Sequence, residues 1–186
     1  KNGEIHGISG TFLCFKNFAK NYSEKIMLQE ILNIWKEFND KNVRYLTIGG
    51  LAVNIYGYTR NTGDIDILIE DTIENRKNLR LAFASIGIGD FVAIETMQFV
   101  PGFTDFTISF DLRLDVMTSI KGLENENFDT LLQNATVVLL KEVPVYFLDY
   151  DSLIKEKKAT DRPKDRLDIE ELEKLNNNSN EVDKEI

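Results

Sequence analysis

The sequence predicts an α/β fold: a mixed, twisted sheet flanked by helices and followed by a C-terminal helical segment. Three observations carry this prediction. Between Ser23 and Asp40, apolar residues at Met27, Leu28, Ile31, Ile34, Trp35 and Phe38 recur at helical spacing. From Asp64 to Glu70, "DIDILIE" threads three isoleucines through a run of strand length. From Thr107 to Ile120, "TISFDLRLDVMTSI" alternates apolar and polar residues over the longest such segment in the chain. Helical and extended patterns thus follow one another within 186 residues that are 42% hydrophobic, enough to bury one core.

Each element has its own local reason. Ser23 is placed to cap the first helix ahead of Glu24, and Trp35 and Phe38 fall on the same stripe as its other core residues. "VRYLTI", Val43 to Ile48, is a short strand ending at Gly49-Gly50, and "LAVNIYG" makes about two helical turns before Gly57 stops it. The polar loop "YTRNTG" leads into the strand at Asp64. Asp71 is then expected to cap a helix over Thr72 to Ile86, with Leu79, Ala82, Phe83 and Ile86 on one face and "GIGD" at its end. A strand is expected around Ala93 to Val100, then the loop "PGFTDF", then the alternating strand with Ser109, Asp111, Arg113, Asp115 and Met117 on one face. A short helix near Phe128 to Gln133 precedes a strand pair, "TVVLL" and "VPVYFL", with Pro144 on an edge. "DYDSLIKEKKATDRPKDRLDIEELEKL" reads as two helices broken near Asp161 to Pro163. The organisation expected is an N-terminal extension at 1–22, partly disordered, one domain at 23–175, and a polar, disordered tail at 176–186.

Composition narrows the function. A net charge of −9 excludes a broad electrostatic grip on nucleic acid as the main source of affinity, while leaving room for a local RNA contact. Cys14 is the only cysteine and His6 the only histidine, so neither a disulfide framework nor a zinc site of several Cys and His ligands is available. Any metal must be hard and oxygen-bound. No run of about 18 apolar residues occurs, and "KNGEIHGISG" lacks the apolar centre of a signal peptide, so a cytoplasmic protein with no membrane partner is expected.

Asp64 and Asp66 are two apart on a strand, so both side chains share a face while Ile65, Ile67 and Ile69 point into the core. With Cα atoms about 6.6 Å apart, they could reach one Mg²⁺ or a pair, or equally be the solvated face of a sheet. Gly49-Gly50, at the junction of a strand and a helix, offers backbone N–H groups to a triphosphate, or is simply a turn. No Lys-Ser or Lys-Thr follows, which excludes a P-loop. "DIDILIEDTIE" lacks the oxygen ligands and glycine of a calcium loop. Two-metal phosphoryl transfer needs a third carboxylate, for which the alternating strand offers Asp111 and Asp115. They are about 13 Å apart on strand geometry, so only one can join the pair. Arg113, between them, can pair with either. Lys155, Lys157, Lys158, Arg162, Lys164 and Arg166 form the densest basic run, either a solvated helix face or a source of phosphate contacts held by Asp165 and Asp168.

Taken together, "GGLAVNIYGYTRNTGDIDILI", "LRLDVM" and "LIKEKKATDRPKDRLDIEEL" resemble the nucleotidyltransferase superfamily that includes DNA polymerase beta, and among its members the AbiEii-type and related small bacterial nucleotidyltransferases, several of them toxin or antitoxin components. The resemblance spans roughly Val43 to Leu175. It implies that Gly49 and Gly50 contact the triphosphate, that Asp64 and Asp66 bind Mg²⁺ or Mn²⁺, and that Asp115 rather than Asp111 completes the site as ligand or base. It also implies nucleotide contacts from Arg60, Lys157 and Arg162. Relatives commonly carry glycine just before that last arginine, where this chain has Asp161.

The function these implications support is transfer of a nucleoside monophosphate from an NTP to an acceptor hydroxyl. An RNA end, a protein side chain and a small molecule such as an aminoglycoside are the candidate acceptors, within a toxin–antitoxin or phage-defence system and with a cognate toxin or antitoxin as partner. Two rivals are a metal-dependent sugar-nucleotide glycosyltransferase, in which a D-x-D also grips a metal and a diphosphate, and a non-catalytic nucleotide- or partner-binding module of a toxin–antitoxin pair.

Overall fold

The computed structural model describes residues 24–100, 104–109 and 112–182. His6, Cys14, Ser23 and Asp111 therefore lie outside the described residues. In chain order the elements are helix α1 (Glu24–Asp40), strand β1 (Tyr45–Ile48), helix α2 (Gly49–Ile55), strand β2 (Asp64–Ile69), helix α3 (Ile73–Ser85), a 3₁₀ turn (Val92–Glu95), strands β3 (Asp105–Ser109) and β4 (Leu112–Met117), helix α4 (Phe128–Asn134), strands β5 (Thr136–Leu140) and β6 (Val143–Phe147), and helices α5 (Tyr150–Thr160) and α6 (Pro163–Val182). The strands form one mixed sheet in the order β3-β4-β2-β1-β6-β5. β2, the isoleucine-rich segment, is central: antiparallel to β1, parallel to β4.

The sheet has two unlike faces. Ile65, Ile67 and Ile69 are buried on one of them, beneath α1 and α3. There Phe38 meets the Tyr45 ring edge-on at 5.3 Å and Phe83 meets Phe106 at 4.7 Å. Trp35, Phe38, Phe83 and Phe147 are fully buried, as the helical stripe of α1 and the pleat require. Asn75 locks this layer. Its amide donates to the carbonyls of Arg44 and Glu70 at 2.9 and 2.8 Å, and its Oδ1 accepts from the Arg44 N–H at 2.7 Å, so α3 is tied to the ends of β1 and β2.

Four expectations are corrected. "TISFDLRLDVMTSI" is not one strand but the hairpin β3–β4, with register shifting between Thr107 and Ser109; alternation persists through both arms of a hairpin, so the period alone hides the turn. Ala93 to Val100 is not a strand: Val92–Glu95 is a 3₁₀ turn whose Ile94 plugs the core. The cap of α3 is Thr72, whose hydroxyl accepts from the Asn75 N–H, while Asp71 pairs with Arg76 instead. Pro144 is not on an edge strand, because β6 lies between β1 and β5; β1 pairs with β6 only at Thr47 and Phe147, so no ladder bond is asked of Pro144 from that side.

The β5–β6 turn uses Lys141 and Glu142 at φ of 46° and 72°, the left-handed pair that a two-residue hairpin demands. At the C-terminus α6 continues through Val182, so the backbone of 176–182 is helical where composition suggested a disordered tail. A helix satisfies its own amides without tertiary contacts, which lets a polar segment extend one already docked. No helix among the described residues is long and apolar enough to cross a membrane.

Candidate active site

The second face of the sheet carries the carboxylates. In the parallel ladder Asp66 of β2 stands opposite Asp115 of β4, and Asp64 stands opposite Arg113. Parallel register partners share a face about 4.8 Å apart, so Asp66 and Asp115 are neighbours. Asp105 of β3 is opposite Asp115 in turn, which makes a row of three acids across three strands. The sequence pattern had left Asp105 in a loop, and only the hairpin brings it into line. Arg113 reaches Asp105 at 3.9 Å, a loose pair. Asp64 is exposed at the start of β2; Asp66 and Asp115 are partly buried.

Asp66 shows the strain of this grouping. Burial first, then the charges of Asp115 and Asp64, push its carboxyl up to about 6, opposed by Lys164 and by the hydrogen bond donated from the Gly50 backbone N–H. Carboxylates gathered at such a cost present the hard oxygen donors that suit Mg²⁺ or Mn²⁺, so the residues fit the metal chemically. Among the described residues, however, no three His, Cys, Asp or Glu side chains are gathered closely enough to hold an ion as they stand.

The glycine pair has a reason the sequence did not disclose. Gly49 adopts φ +61°, and a Cβ there would lie 2.0 Å from Asp66 Oδ2. A Cβ on Gly50 would lie 2.5 Å from Thr62 Oγ1 and 3.2 Å from an Arg60 guanidinium nitrogen. The missing side chains make room for the protein's own polar groups, Asp66 and the 60–62 loop. Gly49→Ala is therefore expected to cost about 1–3 kcal/mol, from the left-handed backbone and the displaced carboxylate. Chemical denaturation of Gly49→Ala, Asp66→Ala and the double variant checks the cause: the two effects should be strongly non-additive, because removing Asp66 leaves only the backbone term.

Arg60 is held from two sides. Its backbone exchanges two hydrogen bonds with the side chain of buried Asn54, N–H to Oδ1 at 2.9 Å and Nδ2 to the carbonyl at 3.0 Å. Its guanidinium grips both oxygens of Asp168, at 2.7 and 3.0 Å. Asp168 also takes Lys157 Nζ at 2.8 Å, Lys157 reaches Asp165 at 3.2 Å, and Asp165 takes Arg162 Nε at 2.6 Å. Lys157, Asp165 and Asp168 are all fully buried, so three cations and two carboxylates form one chain of ion pairs between the 60–62 loop, α5 and α6. Burial pushes the Asp165 carboxyl up, but Arg162 and Lys157 together outweigh it and hold it below its ordinary value. Asp165 and Asp168 do bracket the basic groups, though more tightly than a solvated helix face would. Asn54 was missed in the sequence; a polar residue inside the apolar turn "LAVNI" was its only signal.

Asp161 does not crowd this site. It ends α5 in the left-handed conformation, φ 53°, and its carboxylate pairs with Arg166 at 2.7 Å on the exposed side. A left-handed C-cap of this kind favours glycine, and here Asp161 adopts it by itself.

A cleft of about 430 Å³ joins these parts, lined by Gly49, Gly50, Arg60, Asp66, Asp115, Lys157 and Arg162, and by Met117, Ile120, Lys121, Glu156 and Lys164. Of the residues to which the resemblance assigns a role, all but Asp64 line this cleft; Arg113, Lys155, Lys158 and Arg166 lie outside it as well. A larger groove, about 520 Å³, opens at the other end of the sheet beside Arg44, Asn75 and Tyr146. Volume does not make it the active site: Asn75 there is fully engaged within the fold, and the one cation in its lining, Arg44, is paired with Glu70 and Asp129.

No protein-family model and no curated protein sequence matches the chain. Two solved structures of the antibiotic-resistance factor ANT(2'')-Ia are similar to it in fold, each at a TM-score of 0.52 and 18% identity over 81% of this chain. One is a solution structure, of which 82% is covered. The other is a crystal structure in complex with adenylyl-2''-tobramycin, of which 95% is covered. The mixed six-stranded sheet flanked by helices is thus that of the nucleotidyltransferase fold.

Proposed function

We propose that the chain is a metal-dependent nucleotidyltransferase, moving a nucleoside monophosphate from an NTP to an acceptor hydroxyl. The observation that carries this reading is the register of Asp66 and Asp115, side by side on parallel strands below the glycine turn, in a cleft whose opposite wall is basic. The acceptor oxygen bonds to the α-phosphorus, the bond from that phosphorus to the pyrophosphate oxygen breaks, and the hydroxyl proton passes to the Asp115 carboxylate. Asp64, Asp66 and Asp115 would hold Mg²⁺ or Mn²⁺. Bound there, the metal supplies charge neutralisation on the phosphates and acidifies the hydroxyl. Gly49 and Gly50 line the cleft floor, their missing side chains leaving room for Asp66 and the 60–62 loop, while Arg60, Lys157 and Arg162 form its basic wall.

Two observations bear on the acceptor. The ANT(2'')-Ia complex holds an adenylylated small molecule, tobramycin, which favours a small hydroxylated acceptor. The AbiEii-like motifs favour an RNA end or a protein side chain, in a toxin–antitoxin or phage-defence setting with a cognate partner. Incubation with each α-labelled NTP, Mg²⁺ or Mn²⁺, and either cell extract or purified aminoglycosides decides among them by which species gains label. Label is expected to disappear with Asp64→Ala. Unchanged transfer in that variant would remove the proposed site. Capture of a protein partner with no transfer to any acceptor would instead favour the non-catalytic module.

A further inference from the structure

Not every cation in the cleft is available to a ligand. Arg60, Lys157 and Arg162 already face Asp168 and Asp165, so their donors are committed to buried carboxylates. Lys121 and Lys164 differ. Both line the cleft, both are exposed, and among the described residues neither is tied by an ion pair or a hydrogen bond.

Both are also held in place by their neighbours. Gly122, beside Lys121, takes φ +80° and presses on α5 so closely that a Cβ would lie 3.0 Å from the Lys155 carbonyl oxygen and 2.8 Å from Ala159 Cβ. That contact pins the loop after β4 against the helix carrying Lys157. Lys164 lies in the first turn of α6, next to Asp165, whose carboxylate anchors that turn through Lys157 and Arg162. Lys164 lines the same cleft as Asp66 and Asp115.

We propose that Lys121 and Lys164, one from the loop after β4 and one from α6, are the principal side-chain contacts for the triphosphate of the bound nucleotide. Arg60, Lys157 and Arg162 are positioning residues that shape the cleft. This assignment rests on the nucleotidyltransferase reading and redistributes roles within it. Exposed lysines on two separate elements can close on a polyanion without disturbing the buried network.

The test uses the full chain with Mg²⁺ and calorimetric titration of ATP, the other NTPs and inorganic tripolyphosphate, which carries the phosphates without a base. Lys121→Met and Lys164→Met are each expected to weaken tripolyphosphate and NTP binding by about tenfold or more, as loss of a charged hydrogen bond implies. Lys164→Arg should restore most of the affinity. Lys158→Met, which removes an equal charge on the outer side of α5 where it pairs with Glu173, should leave binding unchanged. If the unmodified chain binds the nucleotides and the two cleft variants bind them equally well, this assignment fails alone. Equal weakening by Lys158→Met overturns it as well, because net charge then explains the effect. If the unmodified chain binds neither NTP nor tripolyphosphate, the assignment and the nucleotidyltransferase reading fall together.

Discussion

Asp66→Asn is expected to reduce nucleotidyl transfer by at least about a hundredfold while making the metal-free chain more stable. The two effects have one cause. Asp66 is partly buried beside Asp115 and Asp64, and its carboxyl is raised from 3.8 to about 6. A raised carboxylate binds its proton more tightly folded than unfolded, so between roughly pH 4 and 6 the native state holds more protons and stability falls as pH rises. Above that window the folded chain carries the full penalty, about 2–3 kcal/mol at 1.36 kcal/mol per pKa unit. Asparagine keeps an acceptor for the Gly50 N–H but removes the charge. Thermal unfolding in EDTA should therefore show Asp66→Asn melting about 4–8 °C higher at pH 7, with the difference vanishing towards pH 4. Activity should fall, because the same carboxylate would no longer serve a metal. A variant that is both active and no more stable would contradict the account of this residue on both counts.

Asp168→Ala is expected to be the most damaging single change in the molecule. Asp168 is fully buried and receives two hydrogen bonds from Arg60 and one contact from the buried Lys157 ammonium. Its removal leaves a buried lysine with Asp165 alone and frees the guanidinium that fixes the 60–62 loop. Breaking a buried ion pair from one side costs about 3–5 kcal/mol, so the urea midpoint should fall sharply at nearly constant slope. The double variant Asp168→Leu with Lys157→Met should lose much less than the sum of the single changes, because no uncompensated charge remains. Additivity in that cycle, or a loss below about 1 kcal/mol for Asp168→Ala, would mean that the ion-pair chain does not hold α6 to the sheet.

Much of the site was legible because its residues are close in the chain and its period is short. Asp64 and Asp66 share a face by the pleat alone, and the isoleucines alternating with and following them had to be core. The basic run and its two aspartates were visible as a pattern, although not their burial. What stayed hidden depended on distant contacts. The hairpin at β3–β4 looked like one strand because alternation does not register a reversal of direction, and with it Asp105 passed for a loop residue. The glycines were credited to a ligand because a sequence cannot tell which atom occupies the space a missing Cβ leaves; here it is Asp66 Oδ2 and the Thr62 side chain. Asp161 looked like a misplaced acid, when its position required a left-handed backbone and its charge turned outward to Arg166.

The division follows from the range of the forces. Periodicity, caps and turn residues act over a few positions, so the sequence by itself determined the α/β class, the buried strand at Ile65 to Ile69 and the face on which Asp64 and Asp66 stand. Strand order, the partnership of Asp66 with Asp115, and the sorting of cleft cations into engaged and available ones depend on residues tens of positions apart. Those were decided only when the tertiary structure closed, because a charge acts according to what lies next to it in space.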